Sequence, residues 1–202
     1  MLVFSKNYMP EKFPEPNSLD SMEGVPAQDT SLRKETNEKL GQPSISELNP
    51  DMWERYKKAR MRSKETDPQA FGTNVLAESE QTAEVYWREK LSNPNIRMFA
   101  IEDGDAVVAM AGLEKRGERF LLRRVYTVPE AREKGFGKTL IEKICTEAKQ
   151  SGAKSVELDV AENQESAVNL YGRMGFKEFK REQATKGDGK VHTEIFMRKV
   201  FE

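Results

Sequence analysis

The chain has one cysteine, one histidine and no excess of either charge. Cys145 has no second thiol to pair with, so no intrachain disulfide can staple the fold. With His192 as the sole imidazole, a metal site built from His and Cys ligands is not expected. Lys plus Arg number 33 against 34 for Asp plus Glu, a formal net charge of −1. That balance argues against general nucleic-acid binding and against attraction to acidic membranes, while leaving room for a local basic site for phosphates. Long apolar runs are missing too. Met1 to Phe4 is a short one, after which the chain turns polar, and nothing approaches the roughly 18 apolar residues of a membrane span. Neither a signal peptide nor a span is expected, which points to a protein of a reducing, cytoplasmic compartment.

What is present divides in two. Residues 1–42 hold Pro10, Pro14, Pro16 and Pro26 among scattered charges, with no sustained hydrophobic period. Such a segment buries too little apolar surface to offset the entropy of ordering it. A disordered or loosely docked arm is predicted there, and a folded domain over residues 43–202. The domain opens with a short strand at Ser44 to Leu48. Asn49-Pro50 then gives an N-cap with proline at the first helical position, predicting a helix over about Asp51 to Lys64. A second helix is predicted over about Ser79 to Leu91, where Ala83, Tyr86, Trp87 and Leu91 recur at helical spacing.

Strands are predicted at Ile96 to Glu102, Ala106 to Leu113 and Phe120 to Val128, separated by turn signals at Asp103-Gly104 and Arg116-Gly117. Leu140, Ile141, Ile144, Cys145 and Ala148 line one face of a following amphipathic helix, which Ser151-Gly152 stops. A strand at Ser155 to Val160, a helix at Gln164 to Met174, and strands at Phe176 to Glu182 and His192 to Val200 complete the order. The fold class is α/β: a mixed sheet with one parallel pair where the chain crosses over through the long helix.

The strand ending at Val128 runs into Arg132-x-x-Gly135-x-Gly137 and then a helix. Helix N-termini present unpaired N–H groups and positive potential, which suits an anion. Glycines let a phosphate come close to the backbone, and Arg132, Lys134 and Lys138 add charge. No Gly-Lys-Ser/Thr closes the loop, so nucleoside triphosphate hydrolysis is not indicated. A glycine turn at the start of a surface helix would look the same.

The continuation is more specific. Val-Pro-Glu-Ala-Arg-Glu-Lys-Gly-Phe-Gly, from Val128, is followed by Ala-x-x-Leu-Tyr-x-x-x-Gly-Phe, from Ala167. This pairing resembles the GNAT superfamily of N-acetyltransferases, over about Ser44 to Val200. The resemblance implies a splayed parallel strand pair with acetyl-CoA as co-substrate in the gap. It implies that backbone groups of Tyr126, Thr127 and Val128 pair with the pantetheine arm. Amides from Lys134 through Gly135, Phe136 and Gly137 to Lys138, with the Arg132 region, would hold the pyrophosphate. Asn163 and Ala167 would line the pantetheine path, with Gln164 the alternative to Asn163. Tyr171 would protonate the departing thiolate, since expelling a thiolate is eased by a phenolic donor.

The sequence departs from that family where relatives often carry an acid, near Leu121 on the central strand. A base must come from elsewhere, act through water, or be unnecessary; Glu114 is a substitute, against the plainer reading of a solvated strand-end glutamate. His192 reads as an ordinary strand residue, Cys145 as core, and Trp53 and Trp87 as core anchors. Alternation sends Arg123 and Arg124 to opposite faces of their strand, one of them close to the acceptor.

The function implied is transfer of acetyl from acetyl-CoA to a primary amine of a small molecule or peptide. The alternative is an acyl-CoA-binding regulatory module without turnover. A homodimer is left open. In this family the two early helices border the acceptor pocket. Their connection here carries Glu65, Asp67, Glu78 and Glu80 against Lys64, which predicts an acidic rim that attracts cationic amines.

Overall fold

A computed structural model describes residues 44–72 and 83–202. The predicted arm at 1–42 and the first residues of the predicted second helix lie outside the described residues. Seven strands form one sheet: β1 (Ile45–Glu47), β2 (Ile96–Asp103), β3 (Ala106–Arg116), β4 (Arg119–Thr127), β5 (Ser155–Ala161), β6 (Lys177–Thr185) and β7 (Val191–Val200). Their order is β1-β2-β3-β4-β5-β7-β6. Every neighbouring pair is antiparallel except β4–β5. Four α-helices accompany them among the described residues: α1 (Trp53–Thr66), α2 (Glu84–Ser92), α3 (Phe136–Gln150) and α4 (Glu165–Arg173).

Local chemistry sets the element ends. The Asn49 side chain accepts from the Asp51 amide at 2.9 Å, and Pro50 starts the 3-10 turn that leads into α1. Along α1, Tyr56, Ala59 and Ser63 are buried at helical spacing. Lys64 is also buried. β3 runs three residues beyond its predicted end. Glu114, Lys115 and Arg116 lack an apolar signal, but they pair with Leu121, Phe120 and Arg119 across the hairpin, and ladder hydrogen bonds do not require one.

Strand alternation builds two cores on opposite faces of the sheet. Phe99, Ile101, Ala109, Ala111 and Leu113 face α3, whose Leu140, Ile141, Ile144 and Ala148 are fully buried. Met98, Ala100 and Met110 face the other way, against Tyr56 of α1 and Trp87 of α2. Trp87 is therefore a core anchor, and Cys145 is a buried residue of α3. Burial also raises the Cys145 thiol pKa, which disfavours the nucleophilic thiolate.

Two irregularities open the middle of the sheet. β4 and β5 pair only at Phe120↔Val156 and Leu121↔Glu157. Beyond those residues each strand keeps its other neighbour, so their facing backbone edges open into a gap. In the β3–β4 register, Met110 faces Tyr126 while Gly112 faces Arg123, so β4 carries one extra residue there. Arg124 sits in this bulge with φ 53°, a left-handed conformation that costs a side-chain-bearing residue on the order of 1–3 kcal/mol. The bulge breaks the alternation expected for Arg123 and Arg124. Both line the same cavity instead of opposite faces.

Candidate active site

Two connected hollows meet at the β4–β5 gap. The larger is a groove of about 730 Å³ running along the N-terminus of α3. The smaller is a cavity of about 280 Å³ beneath the segment that follows α1. Phe71, Val125, Gln164, Ala167 and Tyr171 line both.

The groove is built by the turn between β4 and α3. Glu133 and Gly135 both adopt positive φ, 64° and 84°, which swings the chain from strand to helix within a few residues. Among the described residues, no side chain caps α3. The amides of its first turn, at Phe136, Gly137 and Lys138, are thus left for a ligand. A Cβ on Gly137 would meet only Leu170 and Thr127 at 3.7 and 3.8 Å, ordinary contact distances. The protein itself therefore does not need glycine there for space. An uncapped helix start beside a bare backbone fits a pyrophosphate.

The predicted cofactor residues divide as follows. Tyr126, Thr127, Arg132, Gly135, Phe136, Gly137, Lys138, Asn163 and Ala167 all line the groove. Lys134 is exposed and does not line it. Val128 donates its N–H to Val108, and its carbonyl accepts from Ala131, both at 2.9 Å, so its N–H is paired within the protein and its carbonyl keeps one lone pair. The Arg132 guanidinium is tied to Asp67 at 2.6 Å and to the Thr127 carbonyl at 3.2 Å. Asn163 contacts the His192 ring at 3.3 Å, and that ring contacts Asp188 at 2.8 Å. His192 is thus a strand residue that braces the β6–β7 turn. Gln164 reaches both hollows while Asn163 lines only the groove.

Tyr171 is 7% exposed and packs edge-on against Phe176, with ring centroids 5.8 Å apart. Burial, and secondarily the Asp159 carboxylate, pushes its phenol well above the usual tyrosine range. It stays protonated at neutral pH and can donate a hydrogen bond.

The cavity is rich in charge that sequence reasoning mostly missed. Arg60, Arg116, Arg123, Arg124 and Lys186 line it, with Glu114 and Asp159. Glu114 is 8% exposed, so it is not the solvated strand-end residue expected. Its carboxylate takes Arg116 at 2.5 Å and Arg123 at 3.5 Å. Arg123 also pairs with Asp159, and Lys186 pairs with Glu194. Burial pushes Glu194 above the usual carboxylate range; Asp159 adds to this through its hydrogen bond and charge, and Lys186 opposes it. In β5, Val156, Leu158 and Val160 face the core, so period-two alternation could have flagged Asp159 as facing away.

Of the expected acidic rim, Glu65 is exposed. Asp67 is bound by Arg132, and Glu78 and Glu80 lie outside the described residues. The segment after α1 instead crosses to the β6–β7 turn: Gly72 bridges to Lys186, and the Gly187 amide donates to Phe71 at 2.8 Å. Arg60 stacks over the Phe71 ring at 4.6 Å. Among the described residues, no helix is long and apolar enough to cross a membrane.

Residues 51–176 match the model of the acetyltransferase (GNAT) family. No curated protein matches the sequence of the chain. Solved structures share the fold. PaiA N-acetyltransferase from Thermoplasma acidophilum, in complex with coenzyme A, is 20% identical with TM-score 0.62, covering 78% of this chain and 99% of that one. Ribosomal-protein-alanine N-acetyltransferase from Brucella melitensis is 17% identical with TM-score 0.65, covering 78% and 99%. The structure of yncA from Salmonella typhimurium, with its cofactor acetyl-CoA, is 14% identical with TM-score 0.66, covering 80% and 95%.

Proposed function

We propose, from the premise that this chain belongs to the acetyltransferase (GNAT) family, that it moves acetyl from acetyl-CoA to a primary amine by direct attack. The observation that carries this reading is the position of Tyr171, a buried proton donor on the wall shared by groove and cavity. The groove takes the co-substrate, with its pyrophosphate on the amides at the start of α3 and its thioester reaching the β4–β5 gap. The cavity takes the amine.

In the reaction the amine nitrogen bonds to the thioester carbonyl carbon, and the carbon–sulfur bond breaks. Tyr171 gives its proton to the leaving sulfur and regains one from solvent. The nitrogen sheds a proton, for which we assign Asp159. Its carboxylate lines the cavity, its charge is felt by Tyr171, and the proton it takes is released to solvent. This supplies the acid–base pair that Leu121 cannot, and products are an amide and free coenzyme A. The reading is tested by following thiol release from acetyl-CoA over a panel of small amines and peptide N-termini. Amine-dependent release with a matching acetylated product supports it. Tight acetyl-CoA binding with no amine-dependent release across the panel would instead favour a regulatory acyl-CoA-binding module.

A further inference from the structure

We infer, resting on the acyl-transfer reading above, that the acceptor is an amine that also carries a carboxylate, held in the cavity by the Arg124 guanidinium. The cavity's charges do not balance internally. Arg116 and Arg123 spend their donors on Glu114 and Asp159, and Lys186 spends its own on Glu194. Arg124 has no such partner among the described residues: its Nη1 is buried and makes no hydrogen bond to them. A buried guanidinium nitrogen without an acceptor is destabilising until an anion meets it. A carboxylate is the group whose two oxygens match the planar fork.

The backbone points the same way. Arg124 stands in the β4 bulge at φ 53°, where glycine would sit without strain. The chain places a long cation at that position, and the bulge is what brings it onto the cavity wall beside Val125, which the cofactor groove shares. A cavity of about 280 Å³ is of small-molecule size. The two oxygens of a carboxylate suit the donor that Arg124 presents.

The test uses the full chain saturated with coenzyme A. Calorimetry compares the standard L-amino acids, their carboxamides, and phosphoethanolamine. At least one amino acid should bind at least about 10-fold more tightly than its own carboxamide. Arg124→Gly removes the guanidinium and relieves the strained φ. It should fold with an unchanged or higher Tm, keep its coenzyme A affinity, and bind that amino acid on the order of 10- to 100-fold more weakly. Carboxamides that bind as well, no amino acid bound, or an Arg124→Gly variant that keeps the affinity would overturn the inference. So would phosphoethanolamine binding more tightly than every amino acid. Thiol release from acetyl-CoA is scored separately. An amino acid that binds through Arg124 but releases no thiol sinks the transfer reading and leaves carboxylate recognition standing. Release with carboxamides alone does the reverse.

Discussion

Gly137→Glu should separate folding from cofactor binding. Gly137 is the second residue of α3, and an added Cβ meets Leu170 and Thr127 only at ordinary van der Waals distances. Replacing glycine in a helix gains about 0.5–1 kcal/mol of backbone propensity. A carboxylate in the first turn gains roughly 0.3–1 kcal/mol more from the helix dipole. The free variant should therefore melt at the wild-type temperature or about 2–4 °C above it for each kcal/mol gained. Cofactor binding should move the other way. At about 5 Å, like unit charges repel by roughly 1 kcal/mol in bulk water and 3 kcal/mol near a protein surface. A pyrophosphate at the α3 amides would thus bind on the order of 5- to 150-fold more weakly. Calorimetry with acetyl-CoA, beside thermal melts of the free protein, measures both. Gly135 is the poorer site for this test, because at φ 84° any side chain adds strain of its own. A folded Gly137→Glu variant with wild-type acetyl-CoA affinity would refute the placement of the pyrophosphate.

Tyr171→Phe removes a proton donor and almost no volume, so kcat should fall on the order of 100-fold or more while the acetyl-CoA Kd holds; equal rates would show that solvent protonates the thiolate. Because burial raises the Tyr171 pKa, the phenol keeps its proton to higher pH than an exposed tyrosine. No alkaline fall in rate from its ionisation is expected at or below pH ~10, the ordinary tyrosine value; a fall centred near pH ~8 that vanishes in Tyr171→Phe would contradict this. Asp159→Asn should lower kcat at neutral pH on the order of 100-fold, with recovery at high pH where the amine arrives unprotonated; a uniform loss across pH would mean that Asp159 only holds Arg123. A chain starting at Gln42 should fold and turn over normally, and a drop of more than a few degrees in Tm would show that the preceding residues contribute to stability.

Much of the scaffold was legible in the residues because it depends on local periodicity and caps. The apolar stripe from Leu140 to Ala148, the alternation in Val156, Leu158 and Val160, and the Asn49-Pro50 start all describe one element at a time. The strand–glycine–helix turn was legible for the same reason, since strand, glycines and helix are contiguous. That the Val128 amide is claimed by Val108 of a neighbouring strand was not legible, because motif spacing does not report hydrogen-bond partners.

The charged cavity depended on contacts between distant parts of the chain. Glu114 looked solvated from its neighbours, yet it is buried against Arg116 and Arg123 once β3 and β4 pair. Arg123 and Arg124 looked like opposite-facing residues, and one inserted residue in β4 put both on one cavity. The charge around Asp67 looked acidic until Arg132, far along the chain, neutralised it. By itself the sequence determined the elements, their order and the anion-suited turn, because each is set by interactions within a few residues. The cavity, its charge and the donor left unmatched at Arg124 were decided only by the tertiary structure, because Coulomb pairing and burial depend on distance in space.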